Sequence, residues 1–190
     1  MTEESTLERG GCLCGEVRYT FARTDVLSAH HCHCKDCQKS TGSGKATILF
    51  IPVESLNLIG ELKTFTVVGS EGSHVTRGFC GNCGSPLISY VAEMPAIKFI
   101  KVGSLDDSRW VEITSSYWQK TETNWSPVHD THPAFAANPE SSAACLLSRA
   151  SRKSPLLSSS VDSAISSSVC SGKAGTIAGQ ASEPWRSALA

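Results

Sequence analysis

Seven of the nine cysteines fall before residue 84, in three tight groups: C-x-C at Cys12 and Cys14, C-x-C-x-x-C at Cys32, Cys34 and Cys37, and C-x-x-C at Cys80 and Cys83. A fold that accepts this chain must bring seven soft sulfur donors to defined places. In a small secreted domain such a count would suggest disulfides. Here the N-terminal MTEESTLERG has neither a basic n-region nor an apolar h-region, so export is not expected and the thiols should stay reduced. Metal binding is then the leading use for them.

Zinc takes four tetrahedral ligands in a structural site, and three protein ligands plus an exchangeable position in a catalytic one. Seven divides as four plus three. Glycines flank the outer groups, in GGCLCG and FCGNCGSP, and suit knuckle turns in which backbone amides approach sulfur. The outer pairs, Cys12 and Cys14 with Cys80 and Cys83, are most simply joined as a four-sulfur clamp. The triplet Cys32, Cys34 and Cys37 would keep three thiolates for a second ion. Spacing leaves another pairing open, such as Cys34 and Cys37 with Cys80 and Cys83.

Other sulfur chemistries fit less well. A redox dithiol sits in a βαβ context that is missing here, and the C-x-C-x-x-C spacing matches neither common ferredoxin run. A DNA-binding finger would need a basic recognition helix. The formal net charge of −1 speaks against a nucleic-acid or anionic-membrane partner held by bulk charge. The longest apolar run, ATILFIPV from Ala46 to Val53, is far short of the roughly 18 residues of a membrane span. A cytoplasmic protein is expected.

Histidines give a weaker signal. His33, inside the triplet, is a candidate for shaping the pocket or carrying a proton. His30 and His31 are expected to cover a strand end, and His74, His129 and His132 to serve surface or packing roles.

The periodicity up to Pro139 is mostly of strand type. GEVRYTF alternates Val17, Tyr19 and Phe21 against Glu16, Arg18 and Thr20. KATILFI, LKTFTVV, SHVTRGF, PLISYV, AIKFIKV and EITSSYW are further short runs between turn signals, and KDCQKST alone reads as briefly helical. A mainly-β, zinc-stabilised domain of short antiparallel strands over residues 9–139 is expected. After Pro139 come 15 serines in 51 residues, with too little apolar surface to offset ordering, so residues 140–190 are expected to be a disordered tail. Cys145 and Cys170 lie in that tail and read as bystanders.

The stretches GGCLCGEVRY, CHCKDCQKSTGSG, TRGFCGNCGSPL and KVGSLDD, with the late Trp125, resemble the family of glutathione-dependent formaldehyde-activating enzymes. The resemblance spans about Arg9 to Pro139 and all seven cysteines. It implies a small β "tent", a structural zinc on Cys12, Cys14, Cys80 and Cys83, and a catalytic zinc on Cys32, Cys34 and Cys37. It also implies reversible addition of glutathione to formaldehyde, a carbon–sulfur lyase reaction. Three thiolates around Zn²⁺ leave a local charge of −1 and favour a soft fourth ligand, which suits an incoming thiol. Lys35, Lys39, Lys45 and Arg77 are candidate partners for glutathione carboxylates. The competing expectation is a zinc-bound interaction module that keeps the fold without catalysis.

Overall fold

A computed structural model describes residues 6–69, 71–128 and 131–139. Residues 140–190, with Cys145 and Cys170, lie outside the described residues, as does His129. In chain order the elements are β1 (Leu7–Gly11), β2 (Arg18–Ala22), β3 (Ser28–Cys32), α1 (Lys35–Thr41), β4 (Ala46–Pro52), β5 (Asn57–Ile59), β6 (Leu62–Val68), β7 (His74–Cys80), β8 (Pro86–Val91), β9 (Ile97–Lys101) and β10 (Ser115–Tyr117). The fold is mainly β, as the periodicity led us to expect, and α1 falls on KDCQKST.

Two sheets carry the chain. One has three strands in the order β1-β2-β5, and the other has seven in the order β10-β3-β4-β9-β8-β7-β6. Neighbours are antiparallel apart from β10, which runs parallel to β3 with Ser115 opposite His30 and Tyr117 opposite Cys32. That parallel edge is an addition to the short antiparallel strands expected from the sequence. Parallel partners need a long crossover, and the chain between β3 and β10 supplies one that includes most of the sheet.

Alternation explains β2, where Tyr19 and Phe21 point inward and their neighbours are half-exposed. The central strand β4 instead reads as a continuous apolar run, because both of its faces are covered. On one face Leu49 and Ile51 pack with Ile100 of β9, Ile88 of β8, Tyr19 and Phe21 of the smaller sheet, and Val17 just before β2. On the other, Ile48 and Phe50 pack with Phe99, Tyr117 and Trp118. Each fully buried Leu or Ile here contributes about 1.5–3 kcal/mol of transfer free energy. The edge strand β6 is different, with both faces mostly open and Phe65 64% exposed.

Cross-strand register puts aromatic, polar and charged side chains in line. Phe50 lies opposite Phe99, Phe99 opposite Ser89, and Ser89 opposite Arg77, so these four form one row across β4, β9, β8 and β7. Ile48 and Lys101, two residues along, pair on the same face. The second core thus borders two neighbouring cross-strand rows, one carrying Arg77 and the other Lys101.

Candidate metal centres and the chamber beside the triplet

The outer cysteines meet where two turns abut. Gly15 N–H donates to the Cys12 carbonyl at 3.1 Å and Gly84 N–H to the Cys80 carbonyl at 3.0 Å, with φ of +81° and +74° at the two glycines. Only glycine takes that conformation without strain, so the flanking glycines noted in the sequence do shape the turns. The four sulfurs of Cys12, Cys14, Cys80 and Cys83 gather within 4.8 Å of one another. Cys12 Sγ is 3.5 Å from Cys14 Sγ, and Cys14 Sγ is 3.7 Å from Cys80 Sγ. Ligands about 2.3 Å from a tetrahedral zinc stand roughly 3.8 Å apart, so the spacing fits such an ion and is far too long for a disulfide. Val17 N–H donates to Cys12 Sγ at 3.2 Å, and the Ser85 hydroxyl lies 3.2 Å from Cys83 Sγ. Hydrogen bonds from Ser85, hydroxyl and backbone, hold the Cys83 thiol down at about 5. Such donors favour a thiolate, the form that ligates.

The triplet is built differently. Cys32 ends β3, Cys34 caps α1, and Cys37 lies in the first turn of that helix. The cap is made by sulfur, since Cys37 N–H donates to Cys34 Sγ at 3.4 Å. Thr41 Oγ1 donates to the Cys37 carbonyl at 2.8 Å, and Gly42 closes the helix at φ +63°. One short helix therefore fixes two sulfurs against the third, and all three lie within 4.8 Å. Hydrogen bonds within the triplet separate the thiols. Those from Cys32 and Cys34, with Lys101 and Arg77 adding their charge, hold Cys37 well below the usual range. Cys32 is pushed strongly upward by Cys34, Cys37 and burial. The set meets the donor requirement of an open three-thiolate zinc site.

A chamber of about 470 Å³ opens beside this triplet. Its wall includes Cys32, Cys34 and Cys37, with Arg77 and Lys101 from the two rows described above. Lys101 is only 7% exposed, and no carboxylate pairs with it among the described residues. Burial depresses its ammonium, while the charge of Cys37 pulls the other way. Arg77 Nη2 lies 3.8 Å from Asp36 of α1. The rim is closed by a bridge: Trp118 Nε1–H donates to Asn138 Oδ1 at 2.9 Å, and Asn138 Nδ2–H donates to Glu71 Oε2 at 2.8 Å. A wider cleft of about 600 Å³ shares Lys101 with the chamber, is otherwise lined by residues such as Arg18, Lys45, Ser104 and Asp106, and does not reach the triplet sulfurs. There Arg18 is already paired with Asp106.

Among the charges singled out in the sequence, Arg77 reaches the chamber and Lys45 reaches only the wider cleft. Lys35 is exposed and donates to Gln38, and Lys39 is exposed. His33 is wholly buried and does not line the chamber. Its backbone ties the triplet to the chain that follows β10: His33 N–H donates to the Tyr117 carbonyl, and the His33 carbonyl accepts from Gln38 and Thr121. His30 holds Ser115 and Ser28, which is a packing role. Lys101 went unnoticed in the sequence, although a signal existed. The alternation of Ile97 and Phe99 carries on to position 101, placing a lysine on an inward face.

Residues 7–121 match a family described as glutathione-dependent formaldehyde-activating enzyme. A solved structure of a Rhodobacter sphaeroides protein is similar at 17% identity and a TM-score of 0.43, over 67% of this chain and 99% of that one. Among curated proteins none matches.

Proposed function

The chain belongs to the glutathione-dependent formaldehyde-activating enzyme family, and on that premise we propose that it joins a thiol, glutathione, to the carbonyl carbon of a small aldehyde such as formaldehyde and cleaves the adduct in reverse. The observation that carries this reading is the incomplete sulfur set facing a chamber whose wall also holds two cations. A purely structural site would be expected to complete its four ligands from the chain.

Cys32, Cys34 and Cys37 would hold a zinc ion, and Cys12, Cys14, Cys80 and Cys83 a second, structural one. Bound at the triplet, zinc would keep a fourth sulfur deprotonated at neutral pH. Three thiolates on a divalent ion sum to −1, and a fourth makes −2. Lys101 and Arg77 offset that charge, which a cavity of low polarity would otherwise penalise. The step is an addition. The thiol's sulfur forms the C–S bond, the carbonyl π pair moves to oxygen, and the proton surrendered by the thiol ends on that oxygen. Nothing is oxidised or reduced. Lys101 and Arg77 would steady the developing oxygen charge.

Seven thiols kept available for ligation suit a reducing compartment such as the cytoplasm. Among the described residues, no helix is long and apolar enough to cross a membrane. Exchange between formaldehyde, glutathione and their adduct, followed by NMR with and without the protein, tests the reading. Acceleration over the spontaneous rate supports it, and an unchanged rate overturns it.

A further inference from the structure

Formaldehyde has no carbon beyond its carbonyl, and glutathione is polar along its length, with two carboxylates, an ammonium and two amides. The chamber has a second character that neither molecule uses. Phe50 and Phe99 pack in its floor with ring centroids 4.5 Å apart and planes tilted by 37°, and Val91, Met94, Tyr117 and Trp118 continue the apolar surface. Cys34 and Cys37 pack against this same cluster. Apolar contact therefore reaches the sulfurs themselves.

Several polar groups nearby are turned away from a ligand. The Tyr117 hydroxyl lies 3.3 Å from His30 Nε2, so the ring offers carbon to the chamber. At the rim, Trp118 Nε1–H, Asn138 and Glu71 are bonded to one another. Water over the Phe50–Phe99 floor finds few partners, and an unfilled apolar wall forgoes its dispersion contacts. A volume of about 470 Å³ lies within the ordinary range for a pocket that encloses a small organic ligand.

We propose, building on the thiol-addition reading, that the carbonyl partner carries an apolar body of several carbons, up to an aromatic ring, which lies on the Phe50–Phe99 floor while its carbonyl carbon meets the sulfur at the triplet. The chemistry is the same addition, with an alkyl or aryl aldehyde in place of formaldehyde. Each buried methylene should then tighten binding about fourfold.

The test uses the full zinc-loaded chain and thioethers, which mimic the adduct without reacting. S-methyl-, S-butyl- and S-benzylglutathione are titrated by calorimetry. Affinity should rise along the series, with the benzyl compound at least tenfold tighter than the methyl. Filling the chamber with Val91→Trp, or charging it with Met94→Glu, should shrink that ratio while zinc content is kept. Equal affinities, or no binding by any of the three, overturn the proposal. If formaldehyde exchange is nonetheless accelerated, the thiol-addition reading survives on its own; if that also fails, both readings fall.

Discussion

Lys101 and Cys37 share one wall: a buried ammonium and a helical thiol, held in different elements, face the same chamber beside the β4–β9 ladder. Hydrogen bonds from Cys32 and Cys34 do most to lower the Cys37 thiol, and the charges of Lys101 and Arg77 act in the same direction. A lysine in this position is costly unless negative charge accumulates nearby.

Lys101→Met should therefore weaken capture of a fourth thiolate. Binding of glutathione to cobalt-substituted protein, read from the thiolate charge-transfer band, should loosen about tenfold or more, the size of one charge-assisted contact. Lys101→Arg should recover part of it, because the charge and not the shape is at work. Equal affinities in all three proteins would remove Lys101 from the site.

The two cysteine sets should fail in different ways. Cys80→Ser should abolish cooperative folding, since a structural zinc contributes on the order of 10 kcal/mol. Cys34→Ser should melt close to wild type while losing one zinc and turnover. Metal analysis and thermal unfolding of the pair check the division. A Cys80→Ser protein that melts normally would refute the clamp.

Gly60 sits at φ +90°, and a Cβ there would lie 2.4 Å from the Glu16 carbonyl oxygen. The atoms it would meet are backbone, so the clash has no easy escape. Gly60→Ala should cost about 1–3 kcal/mol, measured by urea unfolding. It should disturb the turn behind Cys14 without touching the chamber.

Asn138 holds Trp118 to Glu71 through two hydrogen bonds of 2.9 and 2.8 Å. Asn138→Ala breaks both, at the surface, and should change stability by about 1 kcal/mol or less. Access to the triplet should change more. Loss of zinc to a chelator, followed with a colorimetric reporter, should quicken several-fold for one ion of the two. Unaltered release would mean that the bridge does not guard the chamber.

Much of the molecule is legible in the sequence because its signals are local. Alternation in Arg18–Ala22 and the continuous run of β4 reflect one-sided and two-sided burial, and glycines beside sulfur mark turns that need positive φ. The short helix is readable from KDCQKST, which opens after Cys34 and ends before Gly42. What stays hidden depends on distant partners. β1, β3 and β5 are short and take their place from neighbours, the last with all three residues exposed. Nothing adjacent in sequence announces that β10 will lie parallel to β3. The role of Lys101 depends on which strand lies opposite, and the placement of His33 on the carbonyl of the distant Tyr117.

Cys32 belongs to a strand flanked by ladders on both sides, β10 along one edge and β4 along the other. Its sulfur is thus anchored by the sheet itself, whereas Asn138 and Glu71 lie outside the strands. Mutational drift can remodel the loop half of the pocket freely but not the strand half. Descendants of this scaffold should keep both their sulfur chemistry and the aromatic floor beside it, and diverge at the rim through which molecules enter.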